Sequence, residues 1–240
     1  ENEHDPRAAE AFRKLVAPFM LRRMKTDKAI ISDLPDCIVQ DVMTTLLPEQ
    51  AYLYQEALTR NLDAISRAEA NSRDKQVKRR ALVLKLITEL KQICNSPSQY
   101  NKQWSETPDS AKAETLFELL DECRENGRKV LVFTQYREMG ELLQGWIAKK
   151  TGRKPEFLHG GVSVARRAVM VDDFQNNPDS HILLVSLKAG GTGLNLTAAS
   201  VVIHYDLWWN PAVESQASDR AWRIGPVSYT HLTLPTILRV

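Results

Sequence analysis

Two arginines stand three residues apart in Gln216-Ala217-Ser218-Asp219-Arg220-Ala221-Trp222-Arg223-Ile224-Gly225, a spacing that projects both from one face of a helix. Neighbouring guanidiniums repel unless something anionic lies before them. A γ-phosphate is such an anion, because an arginine finger stabilises the charge spread over the transferring group's equatorial oxygens. Gln216, four residues before Arg220 on the same face, can help organise that edge. A surface helix whose arginines pair with Asp219 or Glu214 is the competing account of these residues.

A second segment, Lys188-Ala189-Gly190-Gly191-Thr192-Gly193-Leu194-Asn195, has the make-up of a phosphate-facing turn. Glycines let backbone amides approach a phosphate closely, and Thr192 adds a hydroxyl. A helix-to-strand turn that needs glycine for positive φ is the plainer alternative. The segment does not fit G-x-G-x-x-G, and no G-x-x-x-x-G-K-[ST] occurs anywhere in the chain. Asp206 follows an apolar run but has no acidic neighbour, so it reads as a turn cap and not as a metal ligand. His159 reads as a turn residue. No zinc, flavin or nicotinamide site is suggested.

These segments need a scaffold. From about Asp109 onward short apolar runs alternate with helical stretches. Lys129–Thr134, Glu156–Leu158, His181–Leu187 and Val201–Asp206 read as strands. Ser110 or Asp109 caps a helix that Gly127 ends, Ser163 opens another, and Pro211 sits in the first turn of a third. Continuous apolar strands joined through helices predict an α/β fold, a parallel sheet with helices on both faces. Ligands of such sheets bind at the carboxyl ends of the strands. That edge comprises Thr134-Gln135-Tyr136, His159-Gly160-Gly161, Ser186 to Asn195, and Asp206 to Asn210.

The stretch before the sheet is mainly helical. Phe12, Leu15, Val16 and Phe19 recur at helical steps, a short extended piece covers Cys37 to Leu47, and Pro48 can open a helix. A further helix carrying Leu82, Leu86, Leu90 and Ile93 is expected to end before Pro97. The expected division is 1–100 helical, 101–226 sheet-forming and 227–240 an atypical tail. That tail has no helical or strand period and reads as disordered or foreign to the domain.

Hydrophobic residues make up 43% and charged residues 26% of the 240, ordinary for a globular chain, and the net charge of +2 does not by itself announce nucleic acid. The basic residues are densest between Arg60 and Lys91, with Arg73, Lys75, Lys78, Arg79 and Arg80 at the centre. A solvated helix face and a phosphate-facing surface both fit that run. Cys37, Cys94 and Cys123 suit neither a zinc spacing nor a disulfide framework, which points to a reducing interior. No membrane partner is expected. The expected location is cytoplasmic, on a nucleoid or, in a eukaryote, nuclear.

Over roughly Phe12 to Gly225 the residues resemble the Swi/Snf-type superfamily 2 DNA-dependent ATPases, close to the bacterial members. KVLVFTQY resembles helicase motif IV, SLKAGGTGLNLTAA motif V, and DLWWNPAVESQASDRAWRIG motif VI. LHGG with Arg167 and Phe174 resembles the segment after motif IV. Upstream, PFMLRRMKTD, LPEQAYLY and LKQICNSP resemble the inter-lobe and helical-insertion segments.

The resemblance implies a C-terminal RecA-like lobe of an ATP-driven translocase on double-stranded DNA. Arg220, Arg223 and Gln216 would reach ATP and its Mg2+, held mainly by an N-terminal motor lobe, with Gly193 also on the nucleotide side. Thr134, Gln135, Gly191, Thr192, Gly193 and Asn195 would lie near the DNA backbone or the path coupling it to ATP. Trp208 and Trp209 would brace the DNA-side loop, with buried packing as the other account of either. A DNA-bound protein complex is a further implied partner. Ser96 stands where the family has histidine, and Pro226 where it has glutamine. The family's final strand is expected to be missing, as are the first lobe's phosphate loop and acidic motif. A non-catalytic DNA- or partner-binding module is the alternative; the helical insert and WWNP argue against an RNA helicase lobe.

Overall fold

The strands of the second half are buried on both sides, so their residues alternate between two cores and not between core and solvent. The computed structural model describes residues 6–19, 37–71, 75–189, 194–208, 210–219 and 229–237. Two units divide the chain, Glu1–Leu34 and Pro35–Val240. The first contains α1 (Pro6–Val16) followed by a 3-10 turn, Ala17–Phe19.

The second unit begins with β1 (Cys37–Asp41) and β2 (Thr44–Thr45), then α2 (Pro48–Asn71), α3 (Lys75–Asn95), α4 (Pro97–Asn101) and α5 (Ala111–Glu125). Next come β3 (Lys129–Thr134), α6 (Arg137–Thr151), β4 (Glu156–Leu158), α7 (Val164–Asn176) and β5 (Ile182–Ser186). The remaining elements are β6 (Ala199–His204), α8 (Pro211–Ser218), β7 (Tyr229–Thr233) and β8 (Thr236–Ile237). Six strands form one sheet in the order β1-β7-β6-β3-β5-β4, with every pairing parallel. The short β2 and β8 form a separate parallel pair. This is the RecA-like α/β arrangement that the strand pattern and the resemblance lead one to expect.

Pleating sorts the side chains of β3 between two cores. Val130 and Val132 pack with Leu116, Met139, Leu143 and Trp146 from α5 and α6. Leu131 and Phe133 pack on the opposite face with Met170 and Phe174 of α7 and Ala217 of α8. Caps fix where the helices start: Ser110 accepts from Ala113 N–H and Ser163 from Arg166 N–H. Gly127, at φ 63, supplies the left-handed residue after α5.

Before the sheet, α2 and α3 pair lengthwise around Ala57 and Leu86. Polar groups clasp the pair: Gln50 Nε2 donates to the Ile93 carbonyl (2.8 Å), and Asn61 Nδ2 to Glu89 Oε2 (2.7 Å). Arg60 reaches the same carboxylate at 3.0 Å.

The helix expected to end before Pro97 ends at Asn95, and Ser96 then caps the short α4 through Gln99 N–H, with Pro97 suited to its first position. One expectation is corrected. Residues 229–233, where no strand period was found, form β7 between β1 and β6, so a strand does fill the place expected to be vacant. Backbone pairing holds it there, assisted by Leu232 in the core and by the Thr233 hydroxyl donating to the Asp41 carboxylate.

Candidate functional site

The carboxyl edge of the sheet is organised around one buried carboxylate. Asp206, two residues beyond the end of β6, is 3% exposed. Its Oδ2 accepts the Thr134 hydroxyl (2.5 Å) and its Oδ1 accepts Gln135 N–H (2.8 Å), so it ties the turn after β3 to the loop after β6. This is the turn-capping role expected from its lack of acidic neighbours. Among the described residues no group of three or more His, Cys, Asp and Glu side chains converges to hold a metal.

A second set of donors joins the helical segment to the same loop. Asn95, the last residue of α3, donates from Nδ2 to Asp206 Oδ2 (3.3 Å) and accepts at Oδ1 from Lys112 Nζ (3.2 Å). Its amide therefore sits between the ammonium of α5 and the carboxylate. The Asn95 carbonyl accepts from Ser110 Oγ (2.7 Å) and from Tyr205 Oη (2.8 Å). Lys91 Nζ and Gln135 Nε2 both donate to the Leu207 carbonyl, at 2.8 and 3.1 Å. Trp208 N–H then donates to Glu214 Oε1 on α8 (2.5 Å). Four segments thus meet at Asp206–Trp208: the end of α3, the start of α5, the turn after β3 and the start of α8.

Burial sets the electrostatics. It pushes the Asp206 carboxyl up, opposed by the bonds from Thr134 and Gln135 and by the charge of Lys112. It pushes the Lys112 ammonium down, opposed by Asp206. The Tyr205 phenol is likewise raised by burial. Charged groups out of water persist only when paired and hydrogen-bonded, which is what Asn95 arranges here.

The residues singled out from sequence fall into three groups. Thr134, Gln135 and Trp208 belong to this network. Thr134 is fully buried with its hydroxyl spent on Asp206, Gln135 is partly buried, and the Trp208 ring packs against the core beside α7 and α8. Asn195 and Gln216 are exposed and do not join it; the Asn195 carbonyl accepts from Gln175 Nε2 at 3.3 Å. Gly191, Thr192, Gly193, Trp209, Arg220 and Arg223 lie outside the described residues. Arg167 braces the turn after β4 by donating to the carbonyls of Val162, His159 and Gly160 at 2.9, 3.3 and 3.2 Å. His159 Nδ1 accepts Gly161 N–H there, the turn role expected of it.

Sequence reasoning missed Lys91, Asn95 and Lys112. Asn95 stood in a quoted segment, LKQICNSP, but nothing local distinguishes a surface asparagine or lysine from one that reaches under a sheet edge.

Among known proteins, the family model for the helicase conserved C-terminal domain matches residues 111–225, and that for the SNF2-related domain matches residues 2–99. The chain is 39% identical over 235 residues to the putative ATP-dependent helicase/translocase YwqA of Bacillus subtilis, covering 97% of this chain and 25% of that protein. The Sulfolobus solfataricus SWI2/SNF2 ATPase core in complex with dsDNA superposes with a TM-score of 0.74 at 34% identity, over 98% of this chain and 48% of that one. The C-terminal domain of that ATPase gives a TM-score of 0.71 at 32% identity, over 84% of this chain and 80% of that one. The chain spans about a quarter or less of the length of the curated relatives it matches.

Proposed function

The chain belongs to the SWI2/SNF2 family of helicase-related ATPases, and from that premise we propose that it forms the C-terminal motor lobe of an ATP-dependent double-stranded DNA translocase. The observation that carries the proposal is the network at Asp206. It joins the Thr134–Gln135 turn, which resembles motif IV, to the loop that opens the motif VI helix, and it anchors both to the helical segment.

In this reading Arg220 and Arg223, with Gln216 and Gly193 beside them, complete an ATP site whose phosphates and Mg2+ are held mainly by an N-terminal lobe. Gln135, Gly191, Thr192, Gly193 and Asn195 form the DNA edge. Thr134 and Trp208 act from behind it: Thr134 fixes the turn through Asp206, and Trp208 fixes the loop through the core. Residues 1–100 are the mainly helical inter-lobe segment and 101–226 the lobe, to whose sheet residues 229–233 add a strand. Arginine fingers without a phosphate cradle give no turnover, so hydrolysis requires the other lobe. A protein complex on DNA is the proposed object of remodelling, in the cytoplasm, on a nucleoid or in a nucleus. Among the described residues no helix is long and apolar enough to cross a membrane.

A non-catalytic DNA- or partner-binding module is the second reading, favoured by the absence of a G-x-x-x-x-G-K-[ST] sequence. The DNA part of the proposal is tested by titrating the chain with short duplexes of unrelated sequence. Backbone contacts predict affinities that agree between sequences and fall by about tenfold or more from about 50 to 200 mM salt. Binding confined to one sequence and indifferent to salt would contradict it.

A further inference from the structure

The α3 helix carries two apolar seams, and among the described residues only one is buried. Leu82, Leu86, Leu90 and Ile93 form the inner seam, where Leu86 and Ile93 are buried. On the opposite side Val77 is 70% and Leu84 60% exposed, with exposed Ala81 between them. Positions 77, 81, 84 and 88 fall in one narrow stripe, because successive residues turn by about 100°. The same geometry puts Arg80 along one margin of that stripe and Lys78 and Lys85 along the other.

Charge is one-sided here. From Gln76 to Thr88 the sequence has four basic residues and no acidic one. Lys85 lies 3.7 Å from Glu89, whereas Lys78 and Arg80 have no ion pair with any described residue. Cations also crowd the amino end of α3, whose first turn has no acidic side chain.

We infer that the outer face of α3 docks an acidic amphipathic helix of a partner protein. Phosphates of a nucleic acid would engage Lys78, Arg80 and Lys85 but would leave Val77 and Leu84 in water. A helix with leucines at i, i+3, i+4 and i+7 and glutamates along both margins uses the apolar stripe and the flanking cations together. The inference does not rest on the motor reading, since it invokes neither ATP nor the sheet edge.

The test uses a synthetic peptide of about 20 residues with that pattern, a scrambled peptide of equal composition, and a DNA duplex, each titrated against the chain by fluorescence anisotropy. The patterned peptide is expected to bind in the micromolar range (about 1–100 µM) and the scrambled one at least about tenfold more weakly. Val77→Ser with Leu84→Ser, and separately Lys78→Glu with Arg80→Glu, should each weaken the peptide about tenfold or more. Glutamine in place of the peptide's glutamates should have the same effect without altering the chain. Equal binding of both peptides, or binding indifferent to the Val77 and Leu84 substitutions, overturns the inference. So does a cation pair whose loss weakens only the duplex, which makes the face a phosphate surface. Self-association through the same seam, with no peptide bound, would identify a second copy as the occupant and also overturn it.

Discussion

Asp206 accepts the hydroxyl of Thr134, 72 positions earlier in the chain, at 2.5 Å with both residues buried. The bond closes the carboxyl edge of the sheet, because the same carboxylate also accepts the Gln135 amide and the Asn95 side chain. The turn after β3 therefore cannot move without the loop that leads into α8, or without the end of α3. In the proposed motor lobe this bond would link the proposed DNA edge to the proposed nucleotide edge.

The buried pair should behave as one unit. Lys112→Met removes a buried ammonium whose charge favours ionised Asp206, and breaking a buried pair from one side costs up to about 3–5 kcal/mol. Asp206→Asn loses the charge and one good acceptor, with an expected cost of about 2–4 kcal/mol. The double variant should cost less than the two added together, by about 1–3 kcal/mol, in denaturant melts. Strict additivity would mean that Lys112 and Asp206 do not interact through Asn95.

Two glycines distinguish a rigid neighbour from a yielding one. A Cβ at Gly140 on α6 would lie 2.2 Å from Cζ of Phe157, a β4 residue buried in the core. A Cβ at Gly145 would lie 2.1 Å from Trp104, which is 61% exposed. Gly140→Ala should destabilise by about 1–3 kcal/mol through overpacking, and Gly145→Ala by clearly less because Trp104 can swing outward. Comparison of their melting temperatures checks this, and an equal loss would show that Trp104 is held as firmly as Phe157.

His204 predicts an acid sensitivity. It is buried in β6 against Phe133 and His231, and burial, with His231 second, pulls its pKa down to about 3. The folded state leaves the ring neutral where the unfolded chain takes up a proton near pH 6.5, so its share of stability declines as pH falls from about 6.5 towards 3. The slope approaches about 1.4 kcal/mol per pH unit for this one site. Urea melts between about pH 7 and 5 should show a shallower slope for His204→Gln than for the parent. Parallel slopes would mean that His204 is protonated in the fold.

Much of this architecture was legible in the sequence because it depends on local rules. KVLVFT and HILLVS are too apolar for a half-exposed strand, and Ser110, Ser163 and Gly127 mark helix ends by chemistry that works within a few residues. The Asp206 cap followed from what was missing around it. Lys112 was not legible: it lies one residue from an apolar core position, and only the fold reveals that its ammonium turns inward to Asn95. Nor was β7, whose residues Tyr229–Thr233 pair through backbone and in which Thr230 and His231 are only partly buried. Long-range pairing leaves no period to read.

The lobe is proposed to complete an ATP site that it cannot form alone. Steady-state ATP hydrolysis should be measured for the chain alone, and for the chain mixed with a matching N-terminal lobe, with and without duplex DNA. No turnover is expected from the chain alone, and turnover is expected in the mixture that DNA stimulates and that Arg223→Ala reduces by about 10³-fold or more while duplex affinity stays nearly the same. Turnover unchanged by Arg223→Ala, or none from lobes shown to associate, would contradict it.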